Sequence, residues 1–258
     1  MEQAKEKGSS SWLNVLPLEE QGFVLNKGEF RDAISLRYDS PIRNLPSHCP
    51  CGQKFTTTHA LNCKRGGFVI MRHNKIRDFE ANLLKIVHND VEIEPELQEL
   101  ANEQITGLTA DNAHPDIRAR SVWRDGQNAY FDVRVTNVNS ESQRNMCPEK
   151  VLLKHEREKK RAYSQRIMNV EHGTFTPLVF SVTGAEGPET STFHRHLATK
   201  IAYKTEERYE KIITLIRCKL SFLILRSALT CIRGSRPFAN RGSVVVDDFS
   251  LACDAAGL

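Results

Sequence analysis

The stretch that decides the fold runs from His114 to Val135, HPDIRARSVWRDGQNAYFDVRV. It opens on Pro115-Asp116 and closes on Asp132-Val133-Arg134, and both acids stand in apolar, β-branched surroundings that read as strands. Between them RDGQN supplies turn residues, with Asp125-Gly126 a hairpin signal. The reading is a hairpin with Asp116 near the start of one strand and Asp132 inside the next. Two carboxylates brought to one end of a hairpin repel unless a cation neutralises them. Two hard oxygen ligands with open positions suit Mg²⁺ in phosphodiester chemistry. Strand-end aspartates are also common as solvated turn residues, so the pair alone does not decide function.

Downstream, Pro148 to His172 predicts a long, charged helix. Val151, Leu152, His155, Lys159 (by its aliphatic stem), Ala162, Tyr163 and Ile167 recur at helical spacing. FTPLVFSVTG reads as a buried strand ended by glycine, and Thr190 to Lys204 and Glu206 to Ile232 as two more helices. Upstream, MRHNKIRDFEANLLKIVHNDV is a helix with Asn74 as candidate cap and Phe79, Leu83, Leu84 and Val87 on one face. Arg72, His73 and Arg77 gather at its N-terminal end, where backbone donors favour an anion. VEIEPELQEL offers a strand and a turn, and Ala101 to Ala113 a polar connection. The middle of the chain thus reads helix, strand, strand, strand, helix, strand, helix. This is an α/β mixed sheet flanked by helices.

Before this core, SHCPCGQKFTTTHALNCKRGG places Cys49 and Cys51 around a proline, His59 further on, and Cys63 four positions after His59. Three thiols and an imidazole form a tetrahedral Zn²⁺ set, with His59 and Cys63 one helical turn apart. The Cys-x-Cys spacing is tighter than the usual Cys-x₂-Cys, and His48 is an alternative ligand. The domain expectation is a docking segment and linker over 1–45, a zinc knuckle over 46–70, an α/β domain over 71–235 and a loose tail over 236–258. The docking segment has a short helix around Phe30 to Arg37 and Trp12, Leu13, Leu16 and Leu25 available for packing.

Composition narrows the classes. The 258 residues suffice for a sizeable core, and 40% apolar with 26% charged is ordinary for a globular chain. Seven cysteines without framework spacing, and a polar MEQAKEKGSSS start, point to a reducing compartment. The longest apolar run, Leu215 to Ile232, is broken by Arg217, Lys219 and Arg226, which argues for a packed helix and against a membrane span. Formal charge is only +4, but bases crowd Lys154 to Arg166 and recur at Arg217, Lys219, Arg226, Arg233, Arg236 and Arg241. Such runs are usually solvated faces and are also compatible with a polyanion partner.

This element order, with acids at those places, resembles the PD-(D/E)XK nuclease fold. More narrowly, the chain is similar to the C-terminal restriction-like endonuclease region of non-LTR retrotransposon polyproteins. The likeness rests on Cys49, Cys51, His59 and Cys63; on Arg72-His73-Asn74; on Pro115-Asp116 with Asp132; and on Lys160 with Tyr163. It spans about residues 12 to 235. The resemblance implies a Mg²⁺-dependent DNA endonuclease working in the nucleus, as the cutting part of a machine with a polymerase domain or a second copy. Asp116 and Asp132 would hold Mg²⁺, with Asp78, or with less support Glu80, as a third acid. Lys160, with Lys159 next in order, would orient or deprotonate the attacking water, and Arg72, His73 and Arg77 would grip DNA phosphates. The knuckle would present Lys54, Lys64 and Arg65 to the strand. Two beyond Asp132 stands Arg134 where that pattern has lysine, and arginine is a poor general base. The competing expectation is therefore a zinc-stabilised nucleic-acid-binding module without catalysis. A third is a protein-interaction domain built on the Lys204 to Ile232 helix.

Overall fold

The computed structural model describes residues 8–98, 114–140 and 142–236. The end of the expected turn after Gln98, the connection from Ala101 to Ala113, most of the polar N-terminus and the tail beyond Arg236 lie outside the described residues.

Strand β2, Ile117–Arg120, and strand β3, Asn128–Thr136, form the hairpin, with Ile117 opposite Phe131 and Arg120 opposite Asn128. Gly126 takes φ 75° in the turn, a conformation that favours glycine, and its N–H donates to Ser121 Oγ at 2.9 Å. Strand β1, Val91–Ile93, pairs antiparallel with β2, and β4, Thr174–Ser181, pairs parallel with β3. The order is β1-β2-β3-β4. Parallel pairing of β3 and β4 requires a crossover, which helix α4, Pro148–Asn169, provides. Pro177 of β4 lies beside Asp132 and is tolerated because β4 is an edge strand. Helix α3, Phe68–Val87, precedes β1, and α5, Pro188–Thr205, and α6, Tyr209–Arg233, follow β4. The predicted succession of elements from α3 to α5 is thus the one found, and the sheet is mixed.

Period-two alternation sorts β3 between two layers. Ala129, Phe131 and Val133 pack against Ile76, Phe79 and Leu83 of α3 and against Phe193 and Leu197 of α5, with the Phe131 and Phe193 rings 4.8 Å apart. Burial of each such ring contributes roughly 1.5–3 kcal/mol. Asp132, Arg134 and Thr136 point the other way, onto α4. Hence the polar positions of the hairpin are held under one helix.

A second core joins the N-terminal segment, the knuckle and α6 through Trp12, Phe23, Leu36, Phe55, Leu61, Phe68, Phe222 and Leu229. Trp12 N–H donates to Ser221 Oγ at 3.1 Å, and the Phe23 and Phe222 rings stack at 5.0 Å. Helix α1, Lys27–Arg37, starts on a capping box between Asn26 and Glu29. Trp12 and Leu25 pack as expected, but Leu13 and Leu16 stay exposed. Among the described residues no helix is long and apolar enough to cross a membrane.

The start of α3 corrects the sequence reading. Gly66 and Gly67 both take positive φ, and the helix begins at Phe68. Asn74 is no cap: it lies almost two turns inside the helix, and the basic residues expected at its N-terminus lie about one turn (Arg72) to two and a half turns (Arg77) inside it. The apolar Phe68 to Met71 continue the helix back to the glycines, where it must break.

Candidate active site and metal centre

The knuckle is built from a tight hairpin and a single-turn helix. Cys49 N–H donates to Gln53 O at 2.9 Å, Gly52 N–H to Cys49 O at 2.8 Å, and His48 bridges to Lys54. Gly52 at φ 91° closes the turn, which is how the short Cys-x-Cys spacing brings both thiols to one side. Thr56 caps helix α2, Thr57–Asn62, by accepting from His59 N–H at 3.0 Å, so His59 and Cys63 stand one turn apart. The four ligand atoms of Cys49, Cys51, His59 and Cys63 all lie within 4.8 Å of one another. Cys49 Sγ is 3.8 Å from Cys63 Sγ, and Cys51 Sγ is 3.4 Å from His59 Nε2. A tetrahedral zinc with ordinary bond lengths requires about 3.8 Å between sulfurs and about 3.6 Å between sulfur and nitrogen. The cluster can hold a metal ion, and its donors and spacings suit structural zinc. His48 instead bonds Ser47 and stands outside the set.

The acidic pair follows from the hairpin register. The paired register ends at Ile117 and Phe131; just before it Asp116 gives its backbone N–H to Phe131 O at 2.8 Å, and its carboxylate meets His73 of α3 while that of Asp132 meets Lys159 of α4. Both are buried. Asp116 Oδ2 accepts from Val133 N–H at 2.6 Å, and its Oδ1 lies 2.9 Å from His73 Nε2. The hydrogen bond with Asp116 raises the His73 pKa, against the effect of burial. Asp132 Oδ2 lies 2.6 Å from Lys159 Nζ, and Tyr163 donates its hydroxyl to the same carboxylate. Burial raises the Asp132 pKa, Lys159 opposes this, and the charge of Asp116 adds to it. The Tyr163 ring stacks on Phe175 at 5.0 Å and faces the Lys159 ammonium at 5.3 Å.

Five residues expected at the site stand elsewhere. Lys160 forms a 2.5 Å ion pair with Glu189 and does not reach the acids; Lys159 does. Asp78 pairs with Arg77 at 2.9 Å, and Glu80 is fully buried against His194, so neither acid joins the pair. Arg77 is held between Asp78 and Glu94. Arg72 is only 3% exposed and donates to Leu61 O at 3.2 Å beneath the knuckle, out of reach of a phosphate. Of the basic trio, only His73 is at the acids. Arg134 points along α4 to Glu158 at 3.0 Å.

No family model matches this chain, and no curated protein matches it.

Two clusters escaped the sequence reading. His194 lies between Glu80 and Glu186, with ring nitrogens 3.0 Å from a carboxylate oxygen on either side. Glu156 of α4 accepts from Glu189 N–H at 2.9 Å, at the start of α5. Neither has a local signature, since no partner comes from the same element.

Proposed function

We propose that the chain is a metal-dependent DNA endonuclease domain with the restriction-like architecture its sequence resembles. The observation that carries this reading is the pair of buried aspartates, Asp116 just before β2 and Asp132 within β3, whose charges act on one another, with a lysine from the following helix against Asp132. The donor set fits Mg²⁺. Both groups are hard oxygen ligands, and the charge of Asp116, which helps to hold Asp132 above the usual carboxylate range, is what a shared cation would offset. Bound there, the ion would supply Lewis-acid charge to a phosphodiester.

The remaining work falls to side chains. Lys159 orients the attacking water and places positive charge beside the developing phosphorane. Tyr163 fixes the Asp132 carboxylate, and His73 fixes that of Asp116. Zinc in the knuckle holds the N-terminal layer on α6 and takes no part in the chemistry. DNA in the nucleus is the substrate that follows, and a polymerase domain or a second copy would be the partner. One observation favours a second reading, a binding module without catalysis. Both carboxylates already have basic partners, and Arg134 pairs with Glu158 in place of a free amine.

The two readings separate on nicking of supercoiled plasmid with Mg²⁺ or Mn²⁺. Wild type should nick, Asp116→Ala and Asp132→Ala should not, and Lys159→Ala should lose on the order of 10²-fold or more, as removal of one electrostatic group does. Lys160→Ala should stay close to wild type. Nicking that survives both aspartate substitutions would exclude this site. DNA binding without nicking in the wild type would establish the second reading.

A further inference from the structure

Helix α4 carries seven bases against three acids, a net +4 equal to the formal charge of the whole chain, so the rest of the protein is formally neutral. The two signs are sorted around the helix. Glu156 is buried, Glu158 is taken by Arg134 and His155, and Glu149 accepts from Cys147. Lys150, Lys154, Arg157 and Arg161 are all exposed, and at 100° per residue they fall within about 60° of one another. Among the described residues, none of the four has an ion-pair partner. Arg144, also exposed, stands just before the helix.

Like charges three and four residues apart repel and weaken a helix. A merely solvated helix face commonly relieves this with acids at the same spacings. Here Glu158 acts on Lys154 alone of the four and is shared with Arg134 and His155, so most of the repulsion is left to salt or to a polyanion to offset. The stripe is about 16 Å long at 1.5 Å per residue, whereas a duplex offers a charge about every 1.7 Å of its axis. An anionic membrane is the weaker fit, because an interfacial helix turns its apolar face outward and α4 turns its own onto the sheet.

We infer that the outer face of α4 is a docking track for the phosphate backbone of a DNA duplex, formed by Lys150, Lys154, Arg157 and Arg161. Lys159 projects about 180° away from Lys150, so the track lies across the helix from the acidic pair. It rests on the nucleic-acid part of the proposed function and not on hydrolysis. Contact with phosphates alone gives affinity without sequence choice.

The test is fluorescence anisotropy of the full chain with a short random-sequence DNA duplex over a range of KCl concentrations. Each released phosphate contact changes the slope of log K against log salt by about 0.9. Lys154→Gln with Arg157→Gln should therefore flatten the slope by about 1.8 and weaken binding at low salt, and Lys150→Gln with Arg161→Gln should do the same. Circular dichroism and zinc content of both variants should match wild type. Asp132→Ala should keep the wild-type slope, which separates the track from the chemistry. An unchanged slope in both double variants would overturn the inference while leaving the nuclease reading intact. Absence of duplex binding by wild type would overturn both. Vesicles containing phosphatidylserine form the control arm: loss of vesicle binding with an unchanged duplex slope would assign the stripe to lipid and overturn the inference.

Discussion

At the scale of single residues, the chain shows how far a helix phase outweighs a motif. Lys159 and Lys160 are neighbours in sequence but 100° apart on α4, so only one can face the sheet. Periodicity already grouped Lys159 with the inward positions Val151, Leu152, His155 and Tyr163, whereas the resemblance favoured Lys160. The structure sides with periodicity, since Lys159 meets Asp132 and Lys160 meets Glu189. The Cys-Cys-His-Cys cluster was legible because all four residues come from one short stretch, with local spacing that suits a metal ion. Cys51 is the exposed member of that set, so its replacement removes a ligand without opening a core cavity. Cys51→Ser should lower zinc content by one equivalent and reduce thermal stability, because binding free energy in such a site is folding free energy. Inductively coupled plasma measurement on the purified protein checks it, and unchanged zinc would remove Cys51 from the ligand set. The places of Asp78 and Glu80 were illegible for the opposite reason. Asp78 and Glu80 were chosen by type and position, but their partners Arg77, His194 and Glu186 are fixed by tertiary packing.

At the scale of elements, the hairpin, α4, β4 and the last two helices could be read in the sequence because each has a strong period and a glycine or proline boundary. The start of α3 could not. Polar Asn74 is the nearest side chain that can cap, whereas the helix starts directly after Gly67, which has no side chain to signal it. The junction of α4 and α5 was invisible altogether. There Glu156 reaches the first turn of α5, and any Cβ on Gly187 would stand 2.2 Å from its Oε1. Burial pushes the Glu156 carboxyl up to about 7, although hydrogen bonds from Glu189 N–H and Thr190 N–H lower it. A carboxyl that holds its proton more tightly folded than unfolded stabilises the fold fully below its unfolded value of 4.5. That contribution is lost as pH rises through about 7. Glu156→Gln keeps an acceptor for α5 and cannot ionise. Thermal melts at pH 6 and pH 8 should show wild type losing more stability than the variant over this interval, by roughly 1–3 kcal/mol at most. Parallel behaviour of the two proteins would mean that Glu156 stays ionised in the fold.

At the scale of the whole molecule, the three helices behind the sheet are locked by one charged side chain in the core. His194 of α5 bridges Glu80 of α3 to Glu186 of the loop after β4. Burial opposes its charge, but the carboxylates of Glu80 and Glu186 outweigh burial and raise its pKa to about 10. Glu186 is further held ionised by Arg217 of α6 and by Arg195. An imidazolium donating from both nitrogens is thus the species that fits, and neutral histidine would leave one acid facing a lone pair. With the folded pKa above the unfolded 6.5, this stabilisation is complete below pH 6.5 and disappears as pH rises through about 10. His194→Gln removes the positive charge and leaves Glu80 buried without compensation. Breaking a buried pair in this way costs about 3–5 kcal/mol, which corresponds to a fall in Tm of roughly 6–20 °C for a chain of this size. Wild type should lose stability steadily between pH 7 and pH 10, and the variant should lose much less over that range. The bridge spans α3, which carries His73 to Asp116, and α5, whose first turn holds Glu189 against Lys160 on α4. Loosening it should therefore reach the acidic pair, as a loss of nicking at pH 9 that added zinc and Mg²⁺ do not restore. A variant with wild-type Tm and an unaltered pH profile would show that His194 is held neutral, and the lock would then have to be sought in the apolar contacts of Phe193 and Leu197 alone.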